Sequence, residues 1–130
     1  MKSRSLNKVI LIGNVVRQPE VRQTHNGSLI TTFHIITNRE WETTSGERKA
    51  ESTKHTCIAW NRLAEICSDM LTKGTLVYIE GRLQVDNIQP LSPSSSMMEV
   101  QETKVAVDEM IVLNKKHYEE GYEGGNTYEA

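Results

Sequence analysis

The chain carries two tryptophans, Trp41 and Trp60, and each has a cation close by in the sequence. Trp41 ends "TNREW", beside Arg39 and ahead of the polar stretch "TTSGERKAES". Trp60 ends "TKHTCIAW", where period-two alternation puts Lys54, Thr56, Ile58 and Trp60 on one face and His55, Cys57 and Ala59 on the other. If His55, Cys57 and Ala59 face a core, Trp60 faces outward with Lys54 near it. An exposed indole offers a flat surface to a planar ring, and a neighbouring ammonium or guanidinium offers charge to an anion. Together they suit a single nucleic-acid strand, whose bases stack and whose phosphates meet cations. The plainer alternatives are a half-buried hairpin anchor at Trp41 and packing of Trp60 on the start of a helix.

Other chemistries find less support. His34, His55 and Cys57 are the residues from which a metal site could be imagined, but they lack CxxC or HxxxH spacing, and no metal or other cofactor is expected. No GxSxG, P-loop or GxGxxG motif is present, so no catalytic residues are assigned and the chain is not read as an enzyme. Cys57 and Cys67 fall on candidate core faces, which suits buried reduced thiols.

The elements that must hold these residues are mainly strands. With 130 residues, 37% of them hydrophobic and 25% charged, the chain fits one domain with an ordinary core. Apolar alternation predicts strands at 6–16, 29–41, 53–60, 75–85 and 98–113, the first with a bulge or bend at Gly13 and the last broken near Asp108. Pro19 and Asn26-Gly27 mark a turn between the first two. Leu63, Ile66, Cys67, Met70 and Leu71 recur at helical spacing, with Asn61 placed to cap the start and Gly74 the end. The segment "DNIQPLSPSSS" is predicted to be a mobile loop, and residues 114–130 a short disordered acidic tail after a domain spanning 1–113. Five strands with one helix between the third and fourth match an OB-fold, a partly open Greek-key barrel.

Net charge is −2, which is unusual for a nucleic-acid binder, but it is unevenly spread. Residues 1–39 hold six Lys or Arg against Glu20 alone, a local charge of +5, so a positive face can exist within an acidic total. No apolar run is long enough to span a membrane and no secretory signal is visible, so a cytoplasmic protein is expected.

Two longer segments carry a resemblance. "SLNKVILIGNVVRQPEVRQTHNG" resembles the opening of bacterial-type single-stranded DNA-binding proteins, with their "NKVxLxGN" strand, "PEVR" and "NG" turn. "WNRLAEICSDMLTKGTLVYIEGRL" resembles that family's helix and fourth strand, through "LAE", "KG" and "VYIEGxL". The resemblance spans roughly residues 4–113. It implies an OB-fold that assembles, usually as a homotetramer, and coats single-stranded DNA in replication, recombination and repair. On it, Lys8, Arg17, Arg22, Lys49, Arg62, Lys73 and Arg82 fall where the family carries basic residues and become candidate phosphate contacts beside Lys54. Tyr78 and His55 fall at expected subunit contacts.

The sequence also departs from that family. Lys54 and Ile88 stand where aromatic platforms are common, and Asp86 and Asn87 occupy loop positions that are usually basic. The chain lacks the usual aspartate run closed by Pro and Phe, which puts recruitment of replication and repair proteins through such a tip in doubt. The competing reading is an OB-fold primosome-accessory or protein-interaction module with weak DNA binding.

Overall fold

The computed structural model describes residues 4–88 and 100–114. It has six strands and one helix: β1 (Val9–Val15), β2 (Glu20–Gln23), β3 (Leu29–Glu42), β4 (Arg48–Trp60), α1 (Asn61–Met70), β5 (Leu76–Ile88) and β6 (Val100–Asn114). The sheet runs β1-β5-β6-β4-β3-β2, and β1 also pairs with β3. Five strands therefore close into a barrel, with β2 appended to β3 outside the ring. The closing seam is short, only Asn14 opposite Ile36 and Val15 opposite Ile35. With α1 between β4 and β5, this is the expected OB-fold.

Alternation builds the core. Phe33 and Ile35 of β3, Cys57 and Ala59 of β4, Val77 and Ile79 of β5, and Val105 and Val107 of β6 all point into one buried cluster. Fully burying each of the larger side chains contributes about 1.5–3 kcal/mol. Ala64, Cys67 and Leu71 bring α1 and its exit onto the same cluster, and buried Thr31 is satisfied by donating to the Ala64 carbonyl at 2.8 Å. Both cysteines are free and buried, and burial pushes each thiol up to about 12.

Several local expectations are corrected. Asn61 does not cap α1; the cap position is Trp60, without a side-chain bond. The Asn61 side-chain oxygen instead accepts the Leu29 N–H at 3.2 Å, tying the helix start to β3. Gly74 does not end the helix either, since α1 stops at Met70. With φ 91° it makes the turn into β5 and donates its N–H to the Val15 carbonyl at 2.8 Å. Met70, expected on the buried stripe, is exposed, while Ala64 takes a core place.

Gly13 forms no bulge in the β1–β5 ladder; a Cβ there would sit 2.5 Å from the Ile36 carbonyl oxygen, where β3 crosses closely. Strand β4 begins at Arg48 rather than 53, and β5 continues to Ile88 rather than 85. Residues 20–23, within a stretch read as a turn, form β2. The irregularity near Asp108 is a register shift, since Glu80 pairs with Glu109 and Gly81 with Val107, and β6 runs on unbroken. The predicted loop beyond Ile88 and the tail after Asn114 lie outside the described residues.

Candidate nucleic-acid interface

Cross-strand pairing sets the candidate residues in rows on the outer face of β2, β3 and β4. Arg22, Ile30 and Trp60 form one row, Glu20, Thr32 and Ile58 the next, then His34 with Thr56, then Ile36 with Lys54. Ile30, Ile58 and Ala106 make a second, smaller buried cluster on this face, and half-buried Trp60 packs against it. The indole is thus seated on an apolar pad formed by three strands. β6 and β5 continue the face through Lys104, Glu102, Arg82, Gln84 and Asp86.

Charge on this face is unevenly engaged. Arg17, Arg22 and Lys54 are exposed and form no ion pair with any described residue. Toward the β5–β6 side the cations are engaged: Arg82 bonds Asp108 at 3.1 Å, and Lys104 lies 3.3 Å from Asp86 and 3.8 Å from Glu102. His34 sits among the open cations, with its carbonyl accepting the Val16 N–H next to Arg17. Burial, then Lys54 and Arg17, hold its imidazole below the ordinary histidine range, against Glu20 and Glu102.

Trp41 is not brought onto this face. On β3 it shares the alternation of Phe33 and Ile35, so it lies on the core-side face, but beyond the barrel's end, where the β3–β4 hairpin projects. There it is half buried, opposite Lys49, with the Arg39 guanidinium carbon 4.2 Å from the ring centroid. Arg39 also reaches Glu51 at 3.3 Å, and Lys49 lies 3.9 Å from Glu47. Trp41 and Trp60 therefore occupy opposite faces of one hairpin.

Lys8 and Tyr78 meet on a third surface. Both Lys8 and the Tyr78 hydroxyl donate to the Glu80 carboxylate, which lies below the usual carboxylate range because of these two bonds, Lys8's first. Around them on β1 and β6 stand Ile10, Ile12, Ile111 and Leu113, all exposed. His55 is apart from Tyr78, on the core-side face of β4, with Nε2 2.9 Å from the Thr37 hydroxyl. Arg62 lies in the first turn of α1, 4.0 Å from Glu65, and Lys73 is exposed in the α1–β5 connection. Of Ile88 only the backbone pairing with Val100 is described. Among the described residues no three His, Cys, Asp or Glu cluster as metal ligands.

The sequence model of the single-strand binding protein family matches residues 6–113. The chain belongs to that family. It is 44% identical over 82 residues to single-stranded DNA-binding protein 1 of Chlorobaculum tepidum, covering 63% of this chain and 51% of that one. It is 37% identical over 125 residues to the single-stranded DNA-binding protein of Neisseria meningitidis, covering 91% of this chain and 70% of that one. The chain therefore spans about half the length of the Chlorobaculum protein. Among solved structures, the Plasmodium falciparum SSB complex with ssDNA superposes with a TM-score of 0.77 at 25% identity, over 88% of this chain and all, 100%, of that one. A deletion mutant of the single-stranded DNA-binding protein from Thermus aquaticus gives 0.72 at 27% identity, over 84% of this chain and 51% of that one.

In this family member two features of the site escaped the sequence reading. One is the row joining Arg22 to Trp60, which depends on β2, a four-residue strand with every residue exposed and no apolar alternation to announce it. The other is His34, weighed only as a metal ligand, although alternation in "TTFHIIT" opposes it to buried Phe33 and Ile35.

Proposed function

We propose that this chain binds single-stranded DNA without sequence preference and protects it during replication, recombination and repair. The observation that carries the reading is Trp60 on its apolar pad, in one row with Arg22 and on the same strand face as Lys54, with Arg22, Lys54 and Arg17 left without acidic partners among the described residues. Bases stack on the indole while those cations meet phosphates. Trp41, with Lys49 and Arg39, lies on the opposite face of the hairpin and joins the path where the strand passes around it. Arg62, Lys73 and Arg82 serve as outer contacts, Arg82 on leaving Asp108, and Lys8 joins them on leaving Glu80.

The protein acts by binding and carries out no reaction of its own, close to DNA in the cytoplasm. Among the described residues no helix is long and apolar enough to cross a membrane. The apolar surface around Tyr78 supports assembly, and we assign the protein a homotetramer in which Tyr78 and His55 contact neighbouring subunits. Light scattering is expected to give about four times the 14.8 kDa chain mass.

The reading is tested by titrating labelled oligo(dT) and a duplex of equal length at increasing salt. Tight binding of the single strand, weak binding of the duplex, and a log-log salt slope near −0.7 per phosphate contact are expected. Equal affinity for both, or no salt dependence, contradicts it.

A further inference from the structure

Between Trp60 and Lys54 the outer face of β3 and β4 carries one more flat ring, His34. It stands directly opposite Thr56, whose hydroxyl lies 3.2 Å from Nδ1, and this contact constrains the plane of the half-buried imidazole. Thr56 and Trp60 are four residues apart on β4, which sets their rows about 13 Å apart along the strand; the Lys54 row follows about 7 Å further on. The charged groups that face the ring come from every element around it: Arg17 from the β1–β2 connection, Glu20 from β2, Lys54 from β4 and Glu102 from β6. Burial and the two cations favour the uncharged form, so near neutral pH His34 offers a flat aromatic surface rather than a charge.

We propose that His34 is a third base-stacking surface, holding a base on the strip between Trp60 and Lys54. The inference rests on the reading that this face takes single strands. It adds a residue that neither tryptophan nor any cation supplies. A base over His34 has Arg17 and Lys54 beside it for the adjoining phosphates, so stacking and charge neutralisation occur at one place. A purely structural His34 would need only its bond to Thr56. A stacking His34 needs its ring.

The test compares the full chain with its His34→Ala, His34→Gln and His34→Phe variants, each checked for unchanged melting. Labelled oligo(dT) is titrated at about pH 8, where an imidazole is neutral. Ala and Gln are expected to weaken binding by about fivefold or more, Phe to keep or improve it, and the salt slope to stay the same in all three. In the wild-type protein the His34 ring protons should move upfield in the NMR spectrum on addition of oligo(dT), as a stacked base shields them. Wild-type affinity in His34→Ala, full affinity in Gln with loss in Phe, or a slope reduced by about 0.7 in Ala each overturns the stacking role while leaving single-strand binding in place. If the unaltered protein does not prefer oligo(dT) to duplex, the underlying reading falls and the role of His34 with it.

Discussion

The Trp60 face and the Tyr78 face belong to one barrel yet differ in where their charges go. On the face that carries Trp60, Arg17, Arg22 and Lys54 have no acidic partner among the described residues, and the apolar groups Ile30, Ile58 and Ala106 are buried beneath the indole. Around Tyr78 the order is reversed: Lys8 is held by Glu80, which also accepts the tyrosine hydroxyl, while Ile10, Ile12, Ile111 and Leu113 stay exposed. Open cations beside a seated ring suit a polyanion with stacking bases, because the phosphates replace counterions rather than competing acids. Internally satisfied charges amid exposed aliphatics suit another apolar surface. Burial alone does not separate the two faces, since each carries a half-buried aromatic. The pairing of the cations does.

The largest effect is expected at the rings. Trp60→Ala should lose about 1–3 kcal/mol of oligo(dT) affinity, Trp41→Ala a similar amount, and the double variant more than either. Full affinity in the double variant would remove both rings from the DNA path. On the other face, Ile12→Glu places a charge amid the exposed aliphatics. It should lower the mass seen by light scattering with an unchanged circular dichroism spectrum, whereas an unchanged mass would separate this surface from assembly.

A smaller difference should separate the cations. Arg22→Ala and Lys54→Ala should each flatten the salt slope by about 0.7, one phosphate contact apiece. Lys8→Ala should leave the slope unchanged, because its ammonium already has Glu80. A slope that drops equally in all three would erase the contrast between the faces.

The smallest effect concerns acid. Glu80 titrates below the usual carboxylate range, Lys8 being the first cause and the Tyr78 hydroxyl the second. A depressed folded-state pKa contributes stability that is present above the unfolded value and is lost as pH falls through the folded one. Melting followed from about pH 6 down to about pH 3 should show a steeper loss in the wild type than in Glu80→Gln. Parallel curves would mean the Lys8–Glu80–Tyr78 group contributes nothing to the fold.

The barrel was legible because its strands bury one face. Phe33 and Ile35, Cys57 and Ala59, and Val77 and Ile79 alternate with less buried neighbours in the sequence as in the structure, apart from Ile58. Ile58 is buried on the outer side, under Trp60, so a strand read as two-faced is apolar on both sides at its end. Legibility failed where neither face is buried. Residues 48–52 are exposed throughout and are held by pairing with residues 38–42 and by charge contacts such as Arg48 to Glu40 at 3.0 Å, none of which leaves an apolar period. The same extension carries Trp41, whose face is set by register counted back to Ile35 and not by the polarity of its neighbours. Asn61 looked like a helix cap by type and place; its use by Leu29, 32 residues away, is a tertiary contact with no local trace.

The central claim is that the Trp60 face carries the single strand, and fluorescence reports on it directly. In a Trp41→Phe variant Trp60 is the sole tryptophan, and its emission can be followed as oligo(dT) is added, with binding measured independently by anisotropy of the labelled strand. Quenching of Trp60 that saturates together with the anisotropy and reverses as salt is raised is the expected result. Tight oligo(dT) binding with Trp60 emission unchanged would contradict the account.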